Sequence, residues 1–164
     1  MLFICVKQIK IILQLYISMN VVITLDQFQQ HNIYLKPAIE NNIIENSKFI
    51  KIIYSNELIT LNSLFMYFPL INFTTETYFK KKKYIFDIDS NKNTLDKIYT
   101  IEEHILNMYD SNKCKKHIIK QSLSNGFLKI YPNNTEEQGD FIIKISGIWE
   151  TNDEYGLNYK IILQ

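Results

Sequence analysis

Several runs of this chain alternate apolar and polar side chains with a period of two, and this spacing constrains the fold more than any other feature. In KFIKIIY at 48–54, Ile50, Ile52 and Tyr54 fall on one side and Phe49 and Lys51 on the other. That is the period of a strand with one buried face. A turn at Ser55-Asn56-Glu57 leads into LITLNSLFMYF, which ends at Pro69, so the pair reads as a hairpin. A third strand is expected over 82–89, KKYIFDID, followed by FLKIY at 127–131, DFIIKISGIW at 140–149 and a closing LNYKIIL. Gly147 inside the longest run suggests a bulge or a tight corner. Between the third and fourth strands, Thr100-Ile101-Glu102-Glu103 fits a capping box, with Ile101, Ile105 and Met108 at helical spacing. The helix either breaks at Asp110-Ser111-Asn112 or runs on through Leu123, where Gly126 is placed to end it.

Three strands, a helix and two or three strands make a mainly β chain with one helix. The order is that of an oligonucleotide-binding barrel of five to six strands, with the helix between the third and fourth core strands. Residues 19–164 are expected to form this single domain, which a chain of 164 residues can stabilise with one core. Residues 1–18 stand apart. Their apolar run is broken by Lys7, Gln8, Lys10 and Gln14, which suits neither a membrane span nor a signal peptide. They read either as an upstream extension of the reading frame or as an edge strand or amphipathic helix.

Composition removes several classes of function. With 4 Gly, 3 Pro and 13% aromatic residues the chain is neither collagenous nor disordered. A net charge of +1 gives no whole-molecule field for nucleic acid or membrane, so any binding face must be local. Every cation is a lysine, and the 29 isoleucines and 17 asparagines fit a gene rich in A and T. Two distant cysteines, Cys5 and Cys114, form no disulfide framework, which suits a reducing compartment of a cell rather than secretion.

Enzymatic signals are weak. His31, His104 and His117 lie far apart without evident partners, and Cys114 with His117 makes only half a zinc site. The four glycines never cluster as a phosphate loop requires, and Asp87 with Asp89 reads as an acidic strand edge. The expectation is a protein without catalytic residues, metal or cofactor.

Single-stranded nucleic acid is held by cations along its phosphates and by rings on which bases stack, so lysine interleaved with Phe or Tyr is the pattern to seek. It occurs three times: at Phe49 and Lys51, at Phe127, Lys129 and Tyr131, and at Lys80, Lys81, Lys82 and Lys83 between Phe79 and Tyr84. Each alone also reads as a solvated loop or ordinary core. Together they point to a face with a lysine clamp. Lysine is a point charge without a bidentate fork, so contacts would go to phosphate and sequence preference would be slight. Trp149 reads first as a packing anchor and second as a stacking surface.

The segments Phe49 to Ser55, Thr60-Leu61-Asn62, Gly147-Ile148-Trp149-Glu150 and Gly156-Leu157-Asn158-Tyr159-Lys160 resemble a family of small proteins of the nucleo-cytoplasmic large DNA viruses. The resemblance covers less than a third of the chain. It implies a viral or virus-derived protein of the single-stranded DNA-binding type, with an oligonucleotide-binding fold, acting in DNA replication in the cytoplasm or nucleus of a host cell. Single-stranded DNA would be the partner, with RNA, replication proteins and self-association also compatible, and no membrane involved. The competing expectation is a protein-interaction adaptor of a viral replication complex or virion.

Overall fold

The structure is a computed structural model that describes residues 21–78, 81–130 and 140–163. Residues 1–18 lie outside the described residues. The first half contributes β1 (Ile23–Thr24), β2 (Ile33–Leu35), β3 (Ile39–Glu40), β4 (Lys48–Ser55), β5 (Thr60–Leu61) and β6 (Leu64–Tyr67). Next come β7 (Phe73–Tyr78), β8 (Lys81–Phe86) and helix α1 (Lys92–Asn107). The chain continues through β9 (Cys114–Lys116), α2 (Ile118–Leu123), β10 (Phe127–Ile130), β11 (Phe141–Glu150) and β12 (Glu154–Leu163).

Strand β11 organises a nine-stranded mixed sheet. One edge pairs with β12 along its whole length, while the other is shared by β6 over Ile142 to Ile145 and by β4 over Gly147 to Glu150. Between those halves the register shifts: Ile145 opposes Tyr159 but Gly147 opposes Asn158, leaving Ser146 as the extra residue of a bulge. The bulge reverses which parity faces inward. Ile143 and Ile145 are fully buried before it, and Ile148 after it. A separate three-stranded sheet runs β10-β8-β7.

The inner faces of the two sheets meet around Phe141, whose ring lies 5.4 Å from Phe73 and 5.0 Å from Tyr84 in edge-on contacts. One core cluster spans Ile50, Ile52, Leu64 and Met66 of the large sheet, Tyr84, Phe86 and Leu128 of the small one, and the buried stripe of α1. The mainly β expectation holds. Among the described residues the sheets do not close into a barrel, however, because β4 and β6 divide one edge of β11 and the small sheet pairs only within itself.

The expected single helix is corrected to two. Helix α1 begins at Lys92, eight residues before the expected capping box, because Leu95 and Ile98 extend its buried stripe backwards. Thr100 is mid-helix, and its hydroxyl donates to the Asp96 carbonyl at 2.8 Å instead of capping. The break at Asp110-Ser111-Asn112 is real, and Gly126, at φ +70°, follows the second helix. Strand β7 occupies a stretch to which the sequence reading assigns no strand, and β9 is short and polar.

Two buried polar side chains fasten the helices. Asn91 is 2% exposed, accepts from the Ile71 N–H at 2.8 Å, and donates to the carbonyls of Ile71 and Asp87. Glu102 is fully buried on α1 and accepts from the Ile119 and Lys120 N–H groups at 2.8 and 2.9 Å, supplying the cap that α2 lacks in its own sequence. Burial pushes the Glu102 carboxyl above its ordinary value, against these two hydrogen bonds, which hold it down. Its neighbour Glu103 bonds His117 and Lys115, and these contacts hold its carboxyl down to about 2 from 4.5.

A carboxylate whose pKa is lowered by folding contributes stability above its unfolded pKa, and that contribution fades as pH falls toward the folded one. The stability advantage of the wild type over Glu103→Gln should therefore be present just above pH 4.5 and shrink as pH falls toward 2, measured by urea unfolding at successive pH values. An advantage that grew on acidification would contradict the pairing.

Candidate nucleic-acid interface

The outer face of the large sheet carries aromatic rings and lysines in rows across the strands. Ile39 opposes Phe49, Phe49 opposes Trp149, and Trp149 opposes Gly156, which places all four in one row over β3, β4, β11 and β12. The next row is Lys51, Gly147 and Asn158. Beyond the bulge, Lys144 stands between Phe65 and Lys160, and Ile142 between Tyr67 and Ile162.

Both large rings of the first row lean over glycine. A Cβ built on Gly147 would come within 2.5 Å of Phe49 Cζ, and one on Gly156 within 2.8 Å of Trp149 Cζ2. Each glycine leaves room for its neighbour's ring to pack over the backbone where a side chain would otherwise stand. Phe49 and Trp149 are both half-buried. The bulge sends Trp149 to the outer face, where the indole packs over Gly156.

Lysine dominates the charge of this face. Lys144 and Lys160 are direct cross-strand neighbours, and the Lys144 ammonium lies 5.1 Å from the Phe65 ring centre. Among the described outward strand positions the carboxylate is Glu154, at the β9 edge, where it pairs with Lys116 at 3.0 Å. Asp140 sits at the opposite end and accepts from the Tyr67 hydroxyl at 3.3 Å. Burial first, and then the charge of Asp140, push that phenol up. The sheet centre is left cationic.

The small sheet holds the remaining candidates. Phe127 and Lys129 project from its outer face, and Lys129 lies directly opposite Lys83. The Lys83 and Lys129 ammoniums lie 4.9 and 5.5 Å from the Phe127 ring centre. Lys82 has the opposite parity from Lys83, so it takes no part in this cluster. Lys81 is described only as the first backbone position of β8, and Lys80 and Tyr131 lie outside the described residues.

Phe49 with Lys51 and Phe127 with Lys129 consequently occupy different sheets, whose inner faces share one core. The structure brings together Lys83, Phe127 and Lys129, and separately Phe49 and Lys51, but does not join the two sets. Lys144, Lys160 and Phe65 were not singled out by sequence reasoning. Their signal was a lysine at outward parity in FIIKI and NYKII, which becomes readable only once those strands are known to be neighbours.

Polar clusters elsewhere are spent on one another. His117, which looks partnerless in the sequence, bonds Glu103. A cleft of about 330 Å³ beside Lys48 and Asn152 contains Glu150, which is 5% exposed. Burial would raise the Glu150 carboxyl, yet hydrogen bonds from Lys113 at 2.8 Å and Tyr109 at 2.7 Å outweigh it and leave the group below its ordinary value. Tyr109 is pushed up to about 12 by burial and by that carboxylate. Among the described residues no three His, Cys, Asp or Glu side chains gather as a metal site, and no helix is long and apolar enough to cross a membrane.

The glycine seats give a direct prediction. In Gly156→Val the new Cβ would meet both the indole and the Lys116 carbonyl, at 2.8 and 3.1 Å. Because overpacking of this kind costs about 1–3 kcal/mol, the variant should unfold at lower urea, and the emission of the sole tryptophan should shift as the indole is displaced. An unchanged spectrum would mean that the ring does not lie across the glycine.

Comparison with family models, with curated proteins and with solved structures finds no match to this chain.

Proposed function

We propose that the protein binds single-stranded nucleic acid without catalysing a reaction, using the outer face of the large sheet. The observation that carries this reading is the pair of outward rings packed over glycine, Phe49 over Gly147 and Trp149 over Gly156, beside Lys51, Lys144 and Lys160. Aromatic rings stack on any base, and base–aromatic stacking is worth about 1–3 kcal/mol per base. Outward rows on a strand are separated by about 7 Å, so bases seated on the aromatic row leave the backbone within reach of the lysine rows. Ammonium groups neutralise phosphates without reading base edges, which supports sequence-tolerant binding.

The role is that of a single-stranded DNA-binding protein in viral DNA replication, a setting supplied by the resemblance of the Phe49 to Ser55 and Gly147 to Glu150 segments. The large sheet would then act as the strand face of an oligonucleotide-binding fold. The order of strands around α1 supports that view, and the open pairing of the two sheets is a departure from it. The second reading, a protein-interaction adaptor, has in its favour the exposed Ile39, Ile43 and Ile44, which are 61%, 91% and 45% exposed beside the same face.

Titration with an unstructured oligonucleotide should quench Trp149, and affinity should fall steeply with salt as counterions are released. Trp149→Ala should cost about 1–3 kcal/mol of binding. Replacing Lys144 and Lys160 by Gln should reduce the slope of log affinity against log salt by about 0.7 per lysine. Absence of binding at low salt would sink the proposal and favour the adaptor.

A further inference from the structure

We infer that the outer face of the small sheet is a second seat for the same polymer, so that one molecule holds two segments of single-stranded nucleic acid at once. This rests on the reading of the large-sheet face given above. The observation behind it is an electrostatic imbalance. Lys83 and Lys129 are placed directly opposite each other across β8 and β10, an arrangement of like charges that destabilises a sheet unless an anion offsets it. The Phe127 ring supplies part of that offset through contacts with both ammoniums.

Glu76 supplies another part, at 3.5 Å from Lys83, but its side chain is 61% exposed and the pair is weak. Lys129 is exposed, with no carboxylate partner among the described residues. The cluster offers two ammoniums beside one ring on an outer strand face, few donors for a small anion. A chain of phosphates suits it better, because each contact is weak and their number gives the affinity.

The position of the seat makes the binding bivalent. The inner faces of the two sheets meet at Phe73, Tyr84 and Phe141, so their outer faces look away from a common core. Packed sheets are separated by about 10 Å, and a short oligonucleotide seated on one outer face does not reach the other. Two short strands, or two distant parts of a long one, are therefore held together through the protein.

The test uses the full chain and oligothymidylate of about four nucleotides, the short end of the range for a single-strand site on one small sheet domain and too short to wrap from one outer face to the other. Donor- and acceptor-labelled copies are mixed with the protein, and stoichiometry is read by native mass spectrometry alongside energy transfer and Trp149 quenching. The wild type should bind two oligonucleotides per chain and show energy transfer. The double variant Lys83→Gln, Lys129→Gln should bind one, lose energy transfer and keep the Trp149 quenching. The variant Lys144→Gln, Lys160→Gln should lose most of the quenching and retain the other oligonucleotide at low salt.

A wild type that binds one oligonucleotide with full quenching overturns this inference alone. Absence of both binding and quenching overturns the large-sheet reading and this inference with it. A polyglutamate peptide that binds the wild type but not the Lys83, Lys129 variant, where oligothymidylate shows no second site, would assign the small sheet to an acidic protein segment and refute the nucleic-acid assignment.

Discussion

The extra residue at Ser146 decides what the large sheet buries. With strict alternation through FIIKISGIWE, the side that buries Ile143 and Ile145 would also receive Gly147 and Trp149, leaving Ile148 in water. The bulge exchanges those parities, so that Ile148 enters the core and Trp149 comes out beside Phe49. Burying an isoleucine side chain is worth roughly 1.5–3 kcal/mol, and neither Gly147 nor a half-buried indole would have filled the same space. At the bulge β11 also exchanges β6 for β4 as its partner, so one local irregularity sets the core, the pairing of three strands and the chemistry of the outer face.

The helices depend on that sheet more than on their own propensity. A six-residue helix such as α2 does not persist in water alone. It is held by the buried apolar contacts of Ile119 and Leu123 and by the carboxylate that α1 aims at its first N–H groups. Asn91 does comparable work at the other end of α1, closing the connection before β7 against the turn after β8. In both places a fully bonded buried polar group specifies which loop meets which helix, a selectivity that apolar packing alone would leave open.

Much of the strand layout was legible in the sequence because each strand alternates within itself. KFIKIIY, FLKIY and the late pair could be read without knowledge of their neighbours, and mainly β character followed. What failed to show was anything set by tertiary partners. The start of α1 was misjudged because Thr100 and Glu103 imitate a cap, whereas the capping role of Glu102 is exerted on another helix. Strand β7 has little buried apolar surface to announce it, since Phe73 to Thr77 are all exposed. The candidate residues Phe49, Lys51, Phe127 and Lys129 were legible as outward positions, but their division between two sheets depends on pairings that no single strand encodes.

The absence of arginine from the cationic rows carries a consequence for motion. Flat rings and hydrated ammonium groups impose no preferred alignment on a regular polymer, since a shift by one nucleotide presents the same π-face to a base and the same charge to a phosphate. On the nucleic-acid reading proposed above, barriers between neighbouring alignments are then low, and a strand on this surface would creep lengthwise without letting go. The two glycine seats keep that track smooth, because a side chain at either position would raise a step in its path.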